Sequence, residues 1–280
     1  MGCQCVKGTQ VGRVQPPGGV QTSAPSKEVI AKKITQASST RVLALRECGL
    51  KAVPRDALAP EMAKLRTADF SCNALSSLPE AIGSWTELQN LLCAQNAIAE
   101  LPAAIGRMTN LQKLSLSQNR LRTLPSELSS LGKLKTLQLD RNQLGPGLPE
   151  FLEGPISGSL EEMDLSENLL ERLPSLGNLR ELQRLLLPRN KLRELPESLG
   201  GLQKLQYLDA AENSITTVAP RVLAAPSLSE LWLKGNPLDR MRLQETAGFD
   251  AFLERRKQRL DEKIESRVVG RVDLSVCGLD

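Results

Sequence analysis

The start of this 280-residue chain carries the residue types that accept fatty acids. Gly2 follows the initiator methionine, and a free glycine amine in that place is the acceptor for N-myristoylation. Cys3 and Cys5 lie beside it as acceptors for S-palmitoylation, which would supply the second anchor that stable membrane binding requires. Val6 departs from the motif, which has Ser or Thr at that position. We therefore predict acylation at Gly2, Cys3 and Cys5, with an unmodified tail as the alternative.

Basic side chains accompany these acceptors. Residues 1–41 contain one acidic residue, Glu28, and these basic ones: Lys7, Arg13, Lys27, Lys32, Lys33 and Arg41. Each basic group near an anionic leaflet contributes about 1 kcal/mol of attraction. The sequence has no run long and apolar enough to span a membrane and no apolar core of a secretory signal. We predict a cytoplasmic protein held peripherally, through its N-terminus, on the anionic inner face of the plasma membrane or an endomembrane.

The sequence has few of the residues that catalysis, metal binding or nucleic-acid binding would need. The chain has no histidine, which removes Ser-His-Asp and Cys-His catalysis and the commonest metal ligand. The cysteines are scattered, which favours a reducing, intracellular setting: Cys3, Cys5, Cys48, Cys72, Cys93 and Cys277. A net charge of +4 and an aromatic content of 2% do not suit nucleic acid. We predict a non-enzymatic protein with no cofactor, no metal and no nucleic-acid partner.

A repeat of leucine and asparagine organises the rest of the chain. The frame reads L-x-x-L-x-L-x-x-N-x-L-x-x-L-P, and its asparagine recurs at Asn73, Asn96, Asn119, Asn142, Asn168, Asn190, Asn213 and Asn236. A leading copy begins at Arg41, with Cys48 in the asparagine position. A period of this size and pattern is the signature of a leucine-rich-repeat solenoid. We predict about nine repeats, counted from the frame, in residues 41–238.

Each part of the frame has a structural role. The L-x-L core alternates with period two, so it predicts a short strand with its leucines facing inward. One strand per repeat must stack into a parallel sheet, and the asparagine amide can pair with backbone groups at the turn. The L-P segments place proline in the first turn of short helices or 3₁₀ turns on the convex side. The predicted fold class is therefore α/β, a curved horseshoe with a parallel concave sheet.

Helical caps are predicted at both ends of the solenoid. Residues 8–25 are rich in Gly, Pro, Gln and Ser, which suits a flexible spacer, and residues 1–25 are predicted to be a flexible, lipidated segment. Residues 26–40 have helical spacing, with Ser26 as the N-cap. Residues 239–280 are predicted to form a C-terminal helical cap and tail. Their basic cluster is interpreted as the solvated outer face of that cap, with contact to acidic lipid or a partner as the alternative: Arg255, Arg256, Lys257 and Arg259.

A candidate binding surface follows from strand alternation. Residues on either side of each inward leucine point to the concave side, and most of them are small and polar. The C-terminal half instead has larger side chains on neighbouring strands: Arg184, Leu186, Tyr207, Asp209 and Trp232. Trp, Tyr and Arg dominate interface hot spots. We predict that a protein partner binds there. The alternative is that Tyr207 and Trp232 pack against the C-terminal cap.

The return segments resemble a known class of repeat. Residues 78–83 and 101–106 read L-P-x-x-I-G, which is similar to the intracellular Ras-suppressor and Shoc-type repeats. The Met-Gly start, the N-terminal helix, the first repeat and the final helix resemble the layout of a small protein of this kind over residues 29–259. This resemblance implies a lipid-anchored, non-enzymatic intracellular protein. The chain departs from it around residues 145–159 and after residue 265.

Two functions are open on these grounds. The first is a membrane-anchored scaffold that presents its concave face to a signalling protein, such as a small GTPase or a phosphatase subunit. The second is a soluble adaptor or regulatory subunit, for example of a phosphatase, a GTPase pathway or a ubiquitin ligase, with no membrane anchor. In both cases the protein is predicted to be monomeric. Fold alone does not choose between partners.

Overall fold

A single parallel sheet organises the molecule. The computed structural model describes residues 25–149 and 151–265. Within them the sheet has nine strands in the order of the sequence. The strands are β1 (Val42–Ala44), β2 (Thr67–Asp69), β3 (Asn90–Leu92), β4 (Lys113–Ser115), β5 (Thr136–Gln138), β6 (Glu162–Asp164), β7 (Arg184–Leu186), β8 (Tyr207–Asp209) and β9 (Glu230–Trp232). Each strand pairs with the next in the same register, so the predicted leucine-rich-repeat solenoid is confirmed.

Two rows of apolar side chains form the core beneath the sheet. The middle residue of each strand is buried, as is the residue two positions later, for example Leu114 and Leu116. A buried aliphatic side chain contributes about 1.5–3 kcal/mol, so the rows together stabilise the fold without a large aromatic cluster. Cys93 lies in the second row, and burial raises the pKa of its thiol well above its usual range. This cysteine is an inert core residue.

The asparagines join neighbouring repeats. Asn119 accepts a hydrogen bond at Oδ1 from the backbone N–H of Ile98 in the preceding repeat, at 3.0 Å. Its Nδ2 donates to the carbonyls of Cys93, also in the preceding repeat, and of Leu116 in its own. The same arrangement holds along the solenoid, at Asn73, Asn96, Asn142, Asn168, Asn190, Asn213 and Asn236. Each amide therefore closes its own turn and also holds the register between repeats.

The residue before each asparagine has a left-handed backbone. Its φ lies between 53° and 58° at Cys72, Gln95, Gln118, Arg141, Glu167, Arg189 and Glu212, and the same holds for Glu47 in the first repeat. Gly235 completes the series with a φ of 77°. A residue with a side chain loses roughly 1 kcal/mol in this conformation. The hydrogen bonds of the following asparagine offset that cost, so the turn does not need glycine.

The return segments form 3₁₀ helices on the convex side, as predicted. They span Arg55–Leu58, Pro60–Lys64, Glu80–Ser84, Ala103–Arg107, Ser126–Ser130, Phe151–Glu153, Pro155–Gly158 and Glu197–Gly201. The prolines of the L-P pairs lie one residue earlier than predicted, immediately before the helix, as Pro79 does. The Pro79 carbonyl accepts from the N–H of Ile82 at 3.1 Å, which starts the first turn. In the L-P segments proline thus fixes the entry to the short helix without occupying it, whereas Pro60 and Pro155 are the first residues of their helices.

Helices cover both ends of the solenoid, in agreement with the predicted caps. Helix α1 (Lys27–Thr40) packs Ile34 and Ala37 against the first repeat, and Ser26 caps it by accepting from the N–H of Val29. Helix α2 (Pro220–Leu223) belongs to the eighth repeat, and α3 (Arg240–Gln244) and α4 (Phe249–Glu265) follow the last strand. In the described part of the chain, no helix combines the length and the apolar character that crossing a bilayer requires.

The C-terminal cap is held partly by arginine. Helix α4 buries Phe249 and Phe252, and it packs against α2 and α3. Arg255 donates to the backbone carbonyls of Leu223 and Leu228 at the edge of the last repeat. Arg256 is 6% exposed. The interpretation of the basic cluster as a solvated face is therefore wrong for these two arginines.

Candidate partner-binding surface

The open face of the sheet consists of the first and third residues of each strand. On strands β7 to β9 these positions bring the predicted site residues together: Arg184, Leu186, Tyr207, Asp209 and Trp232. In the strand register Arg184 lies beside Tyr207, Leu186 beside Asp209, and Asp209 beside Trp232. We call these five residues the C-terminal patch. The guanidinium end of Arg184 is exposed and the other four side chains are half-buried.

The first-position residues of the C-terminal patch hold one another in place. The guanidinium carbon of Arg184 lies 4.4 Å from the centre of the Tyr207 ring, a cation–π contact. The same guanidinium lies 3.6 Å from the carboxylate of Glu162 on strand β6. Burial, together with the charge of Asp209, raises the pKa of Tyr207, so its phenol stays protonated at neutral pH. The ring and the guanidinium therefore present a fixed, partly apolar surface.

Two half-buried carboxylates flank Leu186 in the third-position row. Asp164 and Asp209 occupy that row on β6 and β8, on either side of Leu186 on β7. Burial raises the pKa of both carboxyl groups, and neighbouring carboxylates raise them further. Sequence reasoning placed Asp164 on the concave side but left it out of the site. The signal that could have found it is its position in the row, one strand before Leu186.

Trp232 closes the patch at the last strand. Its indole Nε1 is buried and has no hydrogen-bond partner among the residues that the structure describes. A buried polar group without a partner costs about 1–3 kcal/mol. Trp232 lies on the open face, while α4 makes its principal contacts with α2 and α3. The partner site at Trp232 stays a prediction, as does the alternative that Trp232 packs against the cap.

The same positions in the N-terminal half carry mostly smaller, polar side chains. They are Thr67, Asp69, Asn90, Leu92, Lys113, Ser115, Thr136 and Gln138. The Asn90 amide donates to the Thr67 hydroxyl at 3.1 Å, and Asp69 accepts from the N–H of Ser71 at 2.9 Å. No aromatic residue occurs at these positions. Strands β2 to β5 therefore lack the hot-spot composition of the C-terminal patch.

A row of ion pairs borders the patch. Arg141 lies 3.1 Å from Glu167, Glu167 lies 3.5 Å from Arg189, and Arg189 lies 2.9 Å from Glu212. All four residues precede an asparagine and have the left-handed backbone described above. Exposed pairs of this kind contribute little to stability. Their effect is to fix the charges along one edge of the concave face.

A cleft lies at the other edge of the C-terminal half, with a volume of about 760 Å³. It is bounded by the return segments of the seventh and eighth repeats and by α3, and its rim includes Glu194, Glu197, Thr216, Thr217, Asp239 and Arg242. These side chains are exposed, and no aromatic residue lines the cleft. The C-terminal patch is therefore the stronger candidate for a protein partner.

Gly2, Cys3 and Cys5 lie outside the described residues. Cys48, Cys72 and Cys93 are free thiols. Within residues 25–149 and 151–265, no group of three or more Cys, Asp or Glu side chains is placed to hold a metal ion.

The fold and the open concave face together define a class, the leucine-rich-repeat solenoid. Residues 86–144 match the sequence model of the leucine rich repeat family. Leucine-rich repeat-containing protein 58 from Homo sapiens is 47% identical over 58 residues, which are 20% of this chain and 16% of that protein. The matching segments of the proteins of that name from human, mouse and Xenopus tropicalis span between 16% and 28% of their length.

Solved structures share the architecture over most of the chain. A leucine-rich-repeat protein from Leptospira interrogans superposes with a TM-score of 0.64 and 26% identity, over 80% of this chain and 61% of that one. The ectodomain of the plant receptor kinase GASSHO1/SCHENGEN3 from Arabidopsis thaliana gives a TM-score of 0.57 and 33% identity, over 70% of this chain and 24% of its own. Proteins of this fold typically bind other proteins on the concave face.

Proposed function

We propose that this chain is a non-enzymatic scaffold whose C-terminal patch binds a protein partner in intracellular signalling. The observation that carries the proposal is that Arg184, Leu186, Tyr207 and Trp232 are contiguous on adjacent strands of the open face. Aromatic and arginine side chains in one half-buried patch have the composition of an interface hot spot. A monomeric solenoid of this size offers its whole concave face to one partner, of the kind of a small GTPase or a phosphatase subunit.

The comparisons support a binding role for a fold of this type. The Arabidopsis ectodomain was solved in complex with Casparian strip integrity factor 2, so a solenoid similar to this one binds another molecule. The finer resemblance of the return segments to Ras-suppressor and Shoc-type repeats, and of the layout to leucine-rich repeat-containing protein 57, supports an intracellular setting. The partner is proposed as a class of protein and not as a particular protein.

The proposal includes a membrane anchor at the N-terminus. Gly2, Cys3 and Cys5 supply acceptors for two kinds of acyl chain, and two such signals are needed for stable anchoring. Helix α1, which begins at Lys27, exposes Lys27 and Lys32, and these positive charges would be attracted to an anionic leaflet. We propose attachment to the cytoplasmic face of the plasma membrane or an endomembrane, with the concave face left free for the partner.

The partner site is tested by proximity labelling in cells. The wild type is compared with Leu186→Glu/Trp232→Ala, which places a charge in the patch and removes the indole. Leu92→Glu is the matched control, because Leu92 occupies the third position of β3 in the other half of the sheet. We expect the double variant to lose the wild-type partners and the control to keep them. An unchanged set of partners from a folded double variant would exclude the C-terminal patch as the site.

The anchor is tested by cell fractionation. Wild type is compared with Gly2→Ala and with Cys3→Ala/Cys5→Ala. We expect the wild type in the membrane fraction and both variants largely in the soluble fraction, since loss of either signal leaves marginal binding. A wild type that is fully soluble would contradict the anchor and leave the soluble adaptor or regulatory subunit as the function. Whether the wild type is membrane-bound or soluble, proximity labelling still tests the partner site independently.

A further inference from the structure

The third-position row of the C-terminal half alternates carboxylate and apolar side chains. Asp164, Leu186, Asp209 and Trp232 follow one another in register on β6 to β9. Because adjacent strands lie about 4.8 Å apart, the backbones that carry the two aspartates are separated by roughly 10 Å. Leu186 lies between them as an apolar floor, and Trp232 borders Asp209 on its other side.

Among the described residues, each of these two carboxylates, Asp164 and Asp209, accepts hydrogen bonds at one oxygen only. The Oδ1 atom of Asp164 accepts from the N–H and the hydroxyl of Ser166, at 2.9 and 2.5 Å. The Oδ1 atom of Asp209 accepts from the N–H of Ala211 at 3.0 Å. In the part of the chain that the structure describes, no donor reaches Oδ2 of either residue. Both carboxylates can therefore accept further hydrogen bonds from a bound molecule.

The nearest cation in the patch is already engaged. Arg184 contacts the Tyr207 ring and the Glu162 carboxylate in the first-position row. Burial and neighbouring carboxylates, Asp140 and Glu162 for Asp164, and Asp164 and Glu212 for Asp209, raise the pKa values of the two groups. A raised pKa means that nearby positive charges and hydrogen-bond donors do not fully stabilise the ionised carboxylate. A cation supplied from outside would provide it.

We infer that the partner presents a lysine or arginine side chain to Asp164 and Asp209, with its aliphatic stem across Leu186. This inference rests on the proposed function of the C-terminal patch. Lysine and arginine combine an apolar stem with a charged end, which matches an apolar floor between two carboxylates. The Trp232 indole adds a surface that attracts a cation. The partner is thus a protein with an exposed basic segment, and an acidic or phosphorylated segment is disfavoured.

The N-terminal half provides the matched control. Its third-position row on β1 to β5 reads Ala44, Asp69, Leu92, Ser115 and Gln138, with a single carboxylate. Asp69 accepts from the N–H of Ser71 at 2.9 Å, the same local bond that Asp209 makes with Ala211. Replacing Asp69 by Asn changes one charge on the same face, in the same local geometry, away from the patch.

The test is a selection of short random peptides, displayed on phage, against the immobilised full chain. Peptides enriched on the wild type are measured against three variants: Leu186→Glu/Trp232→Ala, Asp164→Asn/Asp209→Asn and Asp69→Asn. Asparagine keeps an oxygen for the Ser166 and Ala211 N–H bonds, and circular dichroism with urea unfolding checks that each variant is folded. We expect enriched peptides to share a basic residue next to an apolar one. We expect their affinity to fall roughly tenfold or more in Asp164→Asn/Asp209→Asn and to be unchanged in Asp69→Asn.

The other outcomes separate the two proposals. Peptides that need Leu186 and Trp232 but show no basic preference, and bind Asp164→Asn/Asp209→Asn normally, would overturn the inference and leave the proposed function in place. Peptides that bind Leu186→Glu/Trp232→Ala as tightly as wild type, or no enrichment at all, would contradict both the inference and the proposed function. Enriched peptides in which the basic residue is replaced by Gln provide a second check, because removing the positive charge should weaken binding to wild type and have little effect on binding to Asp164→Asn/Asp209→Asn. Equal binding of the basic and Gln peptides to wild type would contradict the charge pairing.

Discussion

The open face of the sheet carries different side chains on strands β2 to β5 and on strands β6 to β9. In the first group the polar groups pair locally, as Asn90 does with Thr67. In the second group Asp164 and Asp209 carry raised pKa values and the Trp232 Nε1 has no acceptor in the described residues. Groups left without compensation reduce stability. These groups are concentrated on strands β6 to β9, where the partner site is proposed.

The framework beneath the two halves is the same. Asn119 and Asn190 each accept from a backbone N–H of the preceding repeat, at 3.0 and 3.1 Å, and donate to carbonyls of both repeats. Both are buried. The difference between the halves therefore lies in the exposed strand positions. The repeat provides a constant support on which a binding surface can be varied.

The largest predicted effect tests that shared framework. We expect Asn119→Ala and Asn190→Ala each to lower the free energy of unfolding by about 3 kcal/mol, because a buried N–H and two carbonyls lose their partner. Urea unfolding measures the change. Arg120→Ala and Lys191→Ala, at the exposed positions immediately after these asparagines, are the matched controls and should stay within about 0.5 kcal/mol of wild type. A large effect in only one half would break the equivalence of the two frameworks.

The next effect concerns the cap of the C-terminal half. Arg255 donates to the carbonyls of Leu223 and Leu228, whereas α1 closes the N-terminal half through the apolar contacts of Ile34 and Ala37. We expect Arg255→Met to destabilise the protein by about 2 kcal/mol, since both carbonyls lose a charged donor. Lys257→Met, an exposed neighbour on α4, is the control and should change unfolding little. Equal effects of the two variants would show that Arg255 has no structural role.

The repeat framework could be predicted from sequence because it is periodic. The strand at Lys113–Ser115, its buried Leu114 and the turn at Asn119 follow from a pattern that recurs along the chain. The left-handed residue before each asparagine could not be predicted, because residues as different as Cys72 and Arg141 occupy it. Their common feature is a hydrogen bond made by the next residue, which sequence type alone does not display.

The candidate surface was only partly predictable. The neighbours Arg184, Tyr207 and Trp232 follow from strand register, but the cation–π contact at 4.4 Å requires coordinates. Asp164 was overlooked as a site residue because a carboxylate on a solvated strand is ordinary in sequence. Its significance comes from burial and from Asp209 two strands away. The sequence predicts a solvated Arg255 because the carbonyls that this residue binds are about 30 positions earlier in the chain.

A smaller effect concerns how Asp164 and Asp209 make the stability of the protein depend on pH. Burial raises the folded-state pKa values of Asp164 and Asp209, so their ionised forms oppose folding at neutral pH. That opposition is relieved as pH falls through the raised values towards the unfolded-state value of about 4. We therefore expect wild type to gain stability relative to Asp164→Asn/Asp209→Asn as pH is lowered, measured by urea unfolding across the range. Asp69→Asn, the same substitution on the other half of the open face, is measured in parallel as the control. An unchanged difference in stability between wild type and Asp164→Asn/Asp209→Asn across the pH range would contradict the prediction.

The smallest effect concerns the ion pairs at the edge of the concave face. Arg141 lies 3.1 Å from Glu167, but about half of the Arg141 side chain is exposed (53%). Exposed pairs contribute little because solvent screens the charges and ordering two long side chains costs entropy. We expect Arg141→Gln to change the free energy of unfolding by less than about 0.5 kcal/mol, with no salt dependence of the difference above low ionic strength. A change larger than that of Arg255→Met would show that these ion pairs stabilise the fold. The exposed positions would then contribute to stability as the buried asparagines do.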